Sequence, residues 1–215
     1  IVPNGVSETE SLRLGVETQA LVRTLGLDQA HPRLLLPARV TRRKNIELAV
    51  AATATVREHM PQVALLVTGP AGPHNPANQQ YWKELHELRD SIGLERHVYF
   101  LAEGDEGSLS NRVVNDLFRW ADALLFPSRE EGFGIPVLEA SLVRMPIFCS
   151  SIDPLMELAG GRVTSFSPDE SPESVGKAIV NHLQSDSAYA LSVRARTTFE
   201  WERIFEKHVL PLVEA

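Results

Sequence analysis

Six short apolar runs are spaced along the chain with helix-length stretches between them, and this alternation narrows the fold more than any other feature. The runs are Leu34–Leu36, Val63–Val67, Val98–Leu101, Ala123–Phe126, Ile147–Cys149 and, more weakly, Arg162–Phe166. Each is strand-sized and bounded by Pro, Gly or charge. Between them, Asn45–Met60, Asn78–Ile92, Asn111–Ala121, Pro136–Val143 and Asp153–Leu158 read as helices. Leu85, Leu88 and Ile92 share one helical face, as do Val113, Leu117 and Trp120. Pro61 and Gly93 stand where helices should stop, and Pro136 where one should start.

Strand, helix, strand in this order implies βαβ units and a mostly parallel sheet. Runs that are apolar throughout, rather than alternating, fit a sheet buried on both faces. The expectation is an α/β fold: a Rossmann-like, doubly wound parallel sheet of about six strands, with helices on both faces and a helical C-terminal tail. We expect one domain over 1–215, with a connecting segment and short helix (Glu17–Leu25) in 1–30. The core sheet and its helices would occupy 31–170, and helices broken near Asp186 and Phe199 would fill 171–215.

Composition removes several function classes. Hydrophobic residues make up 43% and charged residues 23%, which is globular rather than disordered usage. A net charge of −7 disfavours a general nucleic-acid binder. The single cysteine, Cys149, excludes an internal disulfide framework and a multi-Cys zinc site. It lies within a strand run and reads as a small buried hydrophobe rather than a nucleophile. None of the seven histidines has metal-ligand spacing, and no Ser/His/Asp grouping can be argued. Trp82, Trp120 and Trp201 read as core or helix-packing residues. No apolar run approaches the ~18 residues needed to span a bilayer. The chain opens on Ile1 without an initiator Met and reads as an excised piece.

Ligands of open parallel sheets bind beyond the carboxyl ends of the strands, where strand order reverses. For the common order 3-2-1-4-5-6, the loops after the first and fourth strands should carry the chemistry. After the first strand, Arg39, Arg42, Arg43 and Lys44 lie within six residues, just ahead of a helix. Cations there oppose the helix dipole and suit an anion such as a diphosphate, although a solvated basic turn has the same sequence. After the fourth strand, Glu131-Gly132-Phe133-Gly134-Ile135-Pro136 leads to Glu139. Ile135 has no side-chain oxygen to cap a helix starting at Pro136, which leaves first-turn N–H groups for a ligand. Glu131 and Glu139 could accept hydrogen bonds from vicinal hydroxyls, or simply be a loop acid and a first-turn acid. Neither G-x-G-x-x-G after the first strand nor G-x-x-x-x-G-K-[ST] is present, which disfavours a dinucleotide cofactor and removes a P-loop nucleotidase.

The segment from Pro127 to Ala140, with Glu131 and Glu139 in an E-x7-E arrangement around Gly-Phe-Gly, resembles the donor motif of retaining GT-B glycosyltransferases of the group 1 type. Arg39 and Lys44 resemble that family's phosphate-gripping pair, Pro3–Val6 its passage into the C-terminal domain, and Phe199–Glu202 the Trp-bearing start of its last helix. The resemblance covers nearly the whole chain and implies one half of a GT-B fold. It implies that Arg39 and Lys44 contact the donor diphosphate and stabilise it as leaving group. Glu131 would hold sugar hydroxyls with help from amides of Gly132, Phe133, Gly134 and Ile135. Glu139 would bind the ribose, and the base would lie near the loop after Leu101. It further implies a UDP-, GDP- or ADP-sugar donor, a hexosyl transfer with retention, no metal and no cofactor. Acceptor binding would belong to an N-terminal domain, without which this piece is expected to be inactive. The location would be cytoplasmic, with peripheral membrane contact of the longer enzyme and self-association of the piece both open. Two segments depart from the pattern: the long, Pro-rich Gly69–Pro76 loop, which either shapes acceptor or donor access or is simply an elbow, the favoured reading, and the acidic Glu103–Gly107 loop near the base pocket. The rivals are a phosphorylase-like half, for which no pyridoxal-lysine segment is visible, and a non-catalytic nucleotide or sugar-phosphate binding module.

Overall fold

Leu34, Leu35 and Leu36 are completely buried, as are Leu65–Val67 and Ala123–Phe126. Burying each large aliphatic side chain contributes about 1.5–3 kcal/mol, so these three runs form the energetic centre of the molecule. The computed structural model describes residues 2–70, 76–102 and 108–213. The elements are α1 (Glu8–Ser11), α2 (Val16–Thr24), β1 (Arg33–Leu36), α3 (Ile46–His59), β2 (Ala64–Val67), α4 (Pro76–Ser91), β3 (Val98–Phe100), α5 (Asn111–Trp120), β4 (Ala123–Phe126), α6 (Ile135–Leu142), β5 (Ile147–Ser150), α7 (Asp153–Ala159) and β6 (Thr164–Phe166). A tail of α8 (Pro172–Ser185), α9 (Ser187–Thr198), α10 (Trp201–Ile204), a π turn at Phe205–Val209 and α11 (Leu210–Val213) follows.

The six strands form one sheet of order β3-β2-β1-β4-β5-β6, and every pairing is parallel. Leu34 stands beside Leu65 on one side and Ala123 on the other, so β1 lies where the order reverses. One group of helices packs α3 against α4 and α8, while α6 packs against α7 and α2 against α5. This is the expected doubly wound α/β architecture.

The tail breaks where expected: Asp186 caps α9 by accepting from the amides of Ala188 and Tyr189, and Phe199 ends it. Of the tryptophans, Trp120 is buried, whereas Trp201 is 50% exposed and packs its ring near Gly5 rather than in the core. Cys149 is fully buried, and burial pushes its thiol up to about 11, so it is not a poised nucleophile. Residues 71–75 of the Gly69–Pro76 loop and all of Glu103–Gly107 lie outside the described residues.

Candidate donor site

The loops after β1 and β4 are joined before any side chain is considered. The Arg129 amide donates to the Arg43 carbonyl at 2.8 Å, tying the two rims of the switch point together. Across that tie, Lys44 Nζ lies 2.5 Å from Glu131 Oε1. Both side chains are largely buried, and Lys44 Nζ also sits 5.0 Å from the centre of the Phe126 ring. Two residues 87 positions apart, which the resemblance gives to phosphate and to sugar, are therefore bonded to each other.

Local geometry explains how Lys44 reaches this place. Arg42–Lys44 form a 3-10 turn, and Asn45 then takes a left-handed conformation (φ 52°) that starts α3 in a new direction. Asn tolerates this conformation better than most residues. Its side chain is fully buried and donates from Nδ2 to the Pro168 carbonyl at 2.9 Å, which fixes the turn to the loop after β6. Asn45 offers no side-chain cap; instead the Tyr81 hydroxyl accepts from the Ile46 amide at 3.0 Å and donates to Glu47. Burial and the Glu47 carboxylate raise the Tyr81 hydroxyl well above its ordinary range, so it stays a donor. Arg129 and Asp169 form a second tie between the loops after β4 and β6.

The four cations have different fates. Lys44 is paired with Glu131, and Arg42 is paired with Glu84 at 2.6 Å while lying over the Tyr81 ring. Arg39 and Arg43 are exposed, and their side chains have no partner among the described residues. The loop after β2 leans on the same rim. A Cβ on Gly69 would fall 2.1 Å from the Ala38 carbonyl oxygen, so this close approach requires glycine.

The start of α6 corrects the expectation made for Ile135. The helix begins at Ile135 itself, with Pro136 second, and Gly134 is the uncapped residue before it. Gly134 has φ +98°, and a Cβ there would lie 2.4 Å from Leu155 Cδ2. Backbone conformation and packing on α7 therefore explain this glycine without a ligand. Gly132, by contrast, faces open space. Phe133 and Ile135 are exposed, 56% and 59%, beside it. Glu139 is half-buried in the second turn of α6 and has no hydrogen-bond or ionic partner among the described residues. Leu101 follows β3, two strands from β1, roughly 10 Å across the sheet. The structure thus bonds Lys44 to Glu131 and places Arg39 in the loop after β1, Gly132, Phe133 and Gly134 in the loop after the adjacent β4, and Ile135 and Glu139 on α6, with Leu101 farther along the same edge of the sheet.

Sequence reasoning missed Asn45, Tyr81 and the Arg129–Asp169 pair. Only Asn45 left a local signal, an Asn at a turn directly before a helix. A cavity of about 770 Å³ opens at the opposite, amino end of the strands, lined by Glu8, Trp120, Arg196, Glu200 and Trp201 among others. There Arg196 is bonded to both carboxylate oxygens of Asp122, and the Glu8 amide donates to Glu200. These contacts hold the two ends of the chain to the sheet.

Residues 18–196 match the family described as Glycosyl transferases group 1. The chain belongs to this family. It is 28% identical over 157 residues to the alpha-1,3/1,6-mannosyltransferase ALG2 of Mus musculus, covering 71% of this chain and 37% of that protein. It is 31% identical over 175 residues to the D-inositol 3-phosphate glycosyltransferase of Actinosynnema mirum, covering 79% and 37%. The crystal structure of Anabaena HepE in complex with UDP-glucose superposes with a TM-score of 0.66 at 23% identity, covering 100% of this chain and 57% of that one. This group 1 glycosyltransferase chain thus spans little more than a third of the curated relatives it matches. Its fold is that of one Rossmann-like half of GT-B enzymes. Among the described residues, no helix is long and apolar enough to cross a membrane.

Proposed function

We propose that this chain is the donor-binding half of a retaining, metal-independent glycosyltransferase that takes its sugar from a nucleoside diphosphate. The observation that carries the reading is the Lys44–Glu131 contact at the switch point, with unpartnered Arg39 and Glu139 beside it. Such a set offers cations to a diphosphate and carboxylates to hydroxyls at one site. The HepE crystals contain UDP-glucose, which supports a donor of this class for a chain of the same fold.

In the transfer, the bond between the anomeric carbon and the diphosphate oxygen breaks, and the leaving diphosphate takes the electron pair. A new bond forms from that carbon to an acceptor hydroxyl, whose proton passes to the departing diphosphate oxygen. Arg39 and Lys44 would meet the charge on the leaving group, taking the part a metal plays elsewhere. Glu131 would orient the sugar through its hydroxyls, the Gly132–Ile135 amides would flank it, and Glu139 would hold the ribose. The base would lie beside the turn at Leu101. Acceptor recognition would come from a partner domain, in keeping with the share of the relatives that this chain spans.

Calorimetry with UDP, GDP and ADP tests the reading. Binding of one of them at millimolar concentration or tighter, weakened about tenfold or more in Lys44→Ala and unchanged by EDTA, is expected. No binding to any would favour a non-catalytic module instead.

A further inference from the structure

Lys44 and Glu131 carry opposite charges, and in the free protein each is the other's partner. Their side chains are only 11% and 8% exposed, so water does little to solvate either one. The Arg129–Arg43 backbone bond keeps the two loops from drawing apart to relieve a mismatch. A diphosphate that engages Lys44 therefore competes with Glu131 for the same ammonium. The carboxylate then loses part of its charge compensation while buried and close to a second anion, which is a costly state. Hydroxyl groups can relieve it by donating to both carboxylate oxygens. A donor brings those hydroxyls on its sugar, whereas the nucleoside diphosphate left after transfer does not.

We propose that the Lys44–Glu131 pair is an exchange contact that sets the site's preference for a sugar-bearing donor over its own nucleoside diphosphate product. The inference rests on the nucleotide-sugar reading above and adds a specificity role to Glu131 that neither residue would have alone. With donor bound, Lys44 turns to the diphosphate and Glu131 to the sugar, and both charges are satisfied. Once the sugar has left, Glu131 competes with the diphosphate for Lys44 and favours its release.

The test is a double-mutant cycle on this chain, read by calorimetry with three probe pairs: UDP and UDP-glucose, GDP and GDP-mannose, ADP and ADP-glucose. In Glu131→Gln, Lys44 has no internal anion to abandon. The free diphosphate is expected to bind about threefold or more tighter, while the sugar form gains nothing or weakens, so the preference between them collapses. In a Lys44→Ala background the same change should give a clearly smaller gain, because only the repulsion between Glu131 and the anion is left to relieve. Circular dichroism checks folding, and Glu131→Ala replaces the amide variant if that one does not fold. Equal weakening of both forms by Glu131→Gln would overturn the inference. So would a gain of undiminished size in Lys44→Ala, since Glu131 would then act by simple repulsion of the anion alone. If the unmodified chain binds none of the six probes, the nucleotide-sugar reading fails first and this inference with it.

Discussion

Glu8 and Arg33 form a two-pronged ion pair at the foot of β1, with Nη1–Oε1 at 2.6 Å and Nη2–Oε2 at 3.1 Å. Arg33 is fully buried and lies 3.8 Å over the Trp120 ring, while Glu8 is 20% exposed, so the pair fastens the first helix to the sheet at the wall of the amino-end cavity. Removing one partner of a buried pair leaves an uncompensated charge and costs about 3–5 kcal/mol. Glu8→Ala should lower the unfolding free energy by that amount in urea titrations. A change below about 1 kcal/mol would show that the guanidinium is adequately held by the Ala30, Asp28 and Trp120 carbonyls.

Asp116 is buried in α5 and accepts from the Gly15 amide and the Thr18 hydroxyl, both at 2.7 Å, and from Arg119. Burial alone would raise its carboxyl, but these bonds and the nearby Arg119 and Arg112 charges outweigh it and hold the group below the usual range. The folded state then binds fewer protons than the unfolded one, so this contribution is present above about pH 4 and is lost as pH falls through the lowered value. Asp116→Asn should flatten the acid limb of the stability curve below about pH 4. An unchanged acid limb would assign that limb to other carboxylates.

Gly132 and Gly134 look alike in sequence and should respond oppositely to alanine. At Gly134 the added Cβ meets Leu155 with the backbone at φ +98°, a combination that should cost about 2 kcal/mol or more. At Gly132 nothing lies within 4 Å, and the change should stay within about 0.5 kcal/mol. Thermal unfolding of the two variants separates the residue the fold needs from the one it does not.

Arg39 and Lys44 should likewise differ in stability while agreeing in function. In the intact enzyme, Lys44→Ala should lower turnover about a hundredfold, the usual effect of removing one preorganised charge contact; a loss under threefold would sink its assigned role. The same substitution strands Glu131 and should destabilise this chain measurably. Arg39 has no partner to strand, so Arg39→Ala should weaken diphosphate binding and leave the melting curve in place.

The sheet was legible because each strand carries its own signal. Leu34–Leu36 and Ala123–Phe126 are apolar at every position, which only burial on both faces explains, and the assumed strand order places them side by side as found. The Glu131 and Glu139 spacing was equally readable, being local. Their surroundings were not. Nothing near Lys44 in the chain announces that its partner is Glu131, because that contact exists only once β1 and β4 are neighbours. The Gly134 boundary was misread by one residue, since a left-handed glycine can precede a helix as well as follow one. Helix α1 was missed although Ser7 and Glu10 carry the start of a capping box, because four residues show no hydrophobic period.

The single amide–carbonyl bond between Arg129 and Arg43 makes the crevice a unit of inheritance as well as of structure. A substitution that resets one loop is felt by the other, so the proposed grips on phosphate and on sugar would change together. Donor choice in such a site should shift through paired changes whose individual steps look harmful. Screens of single substitutions would then understate how far this half can be re-tuned, and libraries that vary both loops together would be the productive ones.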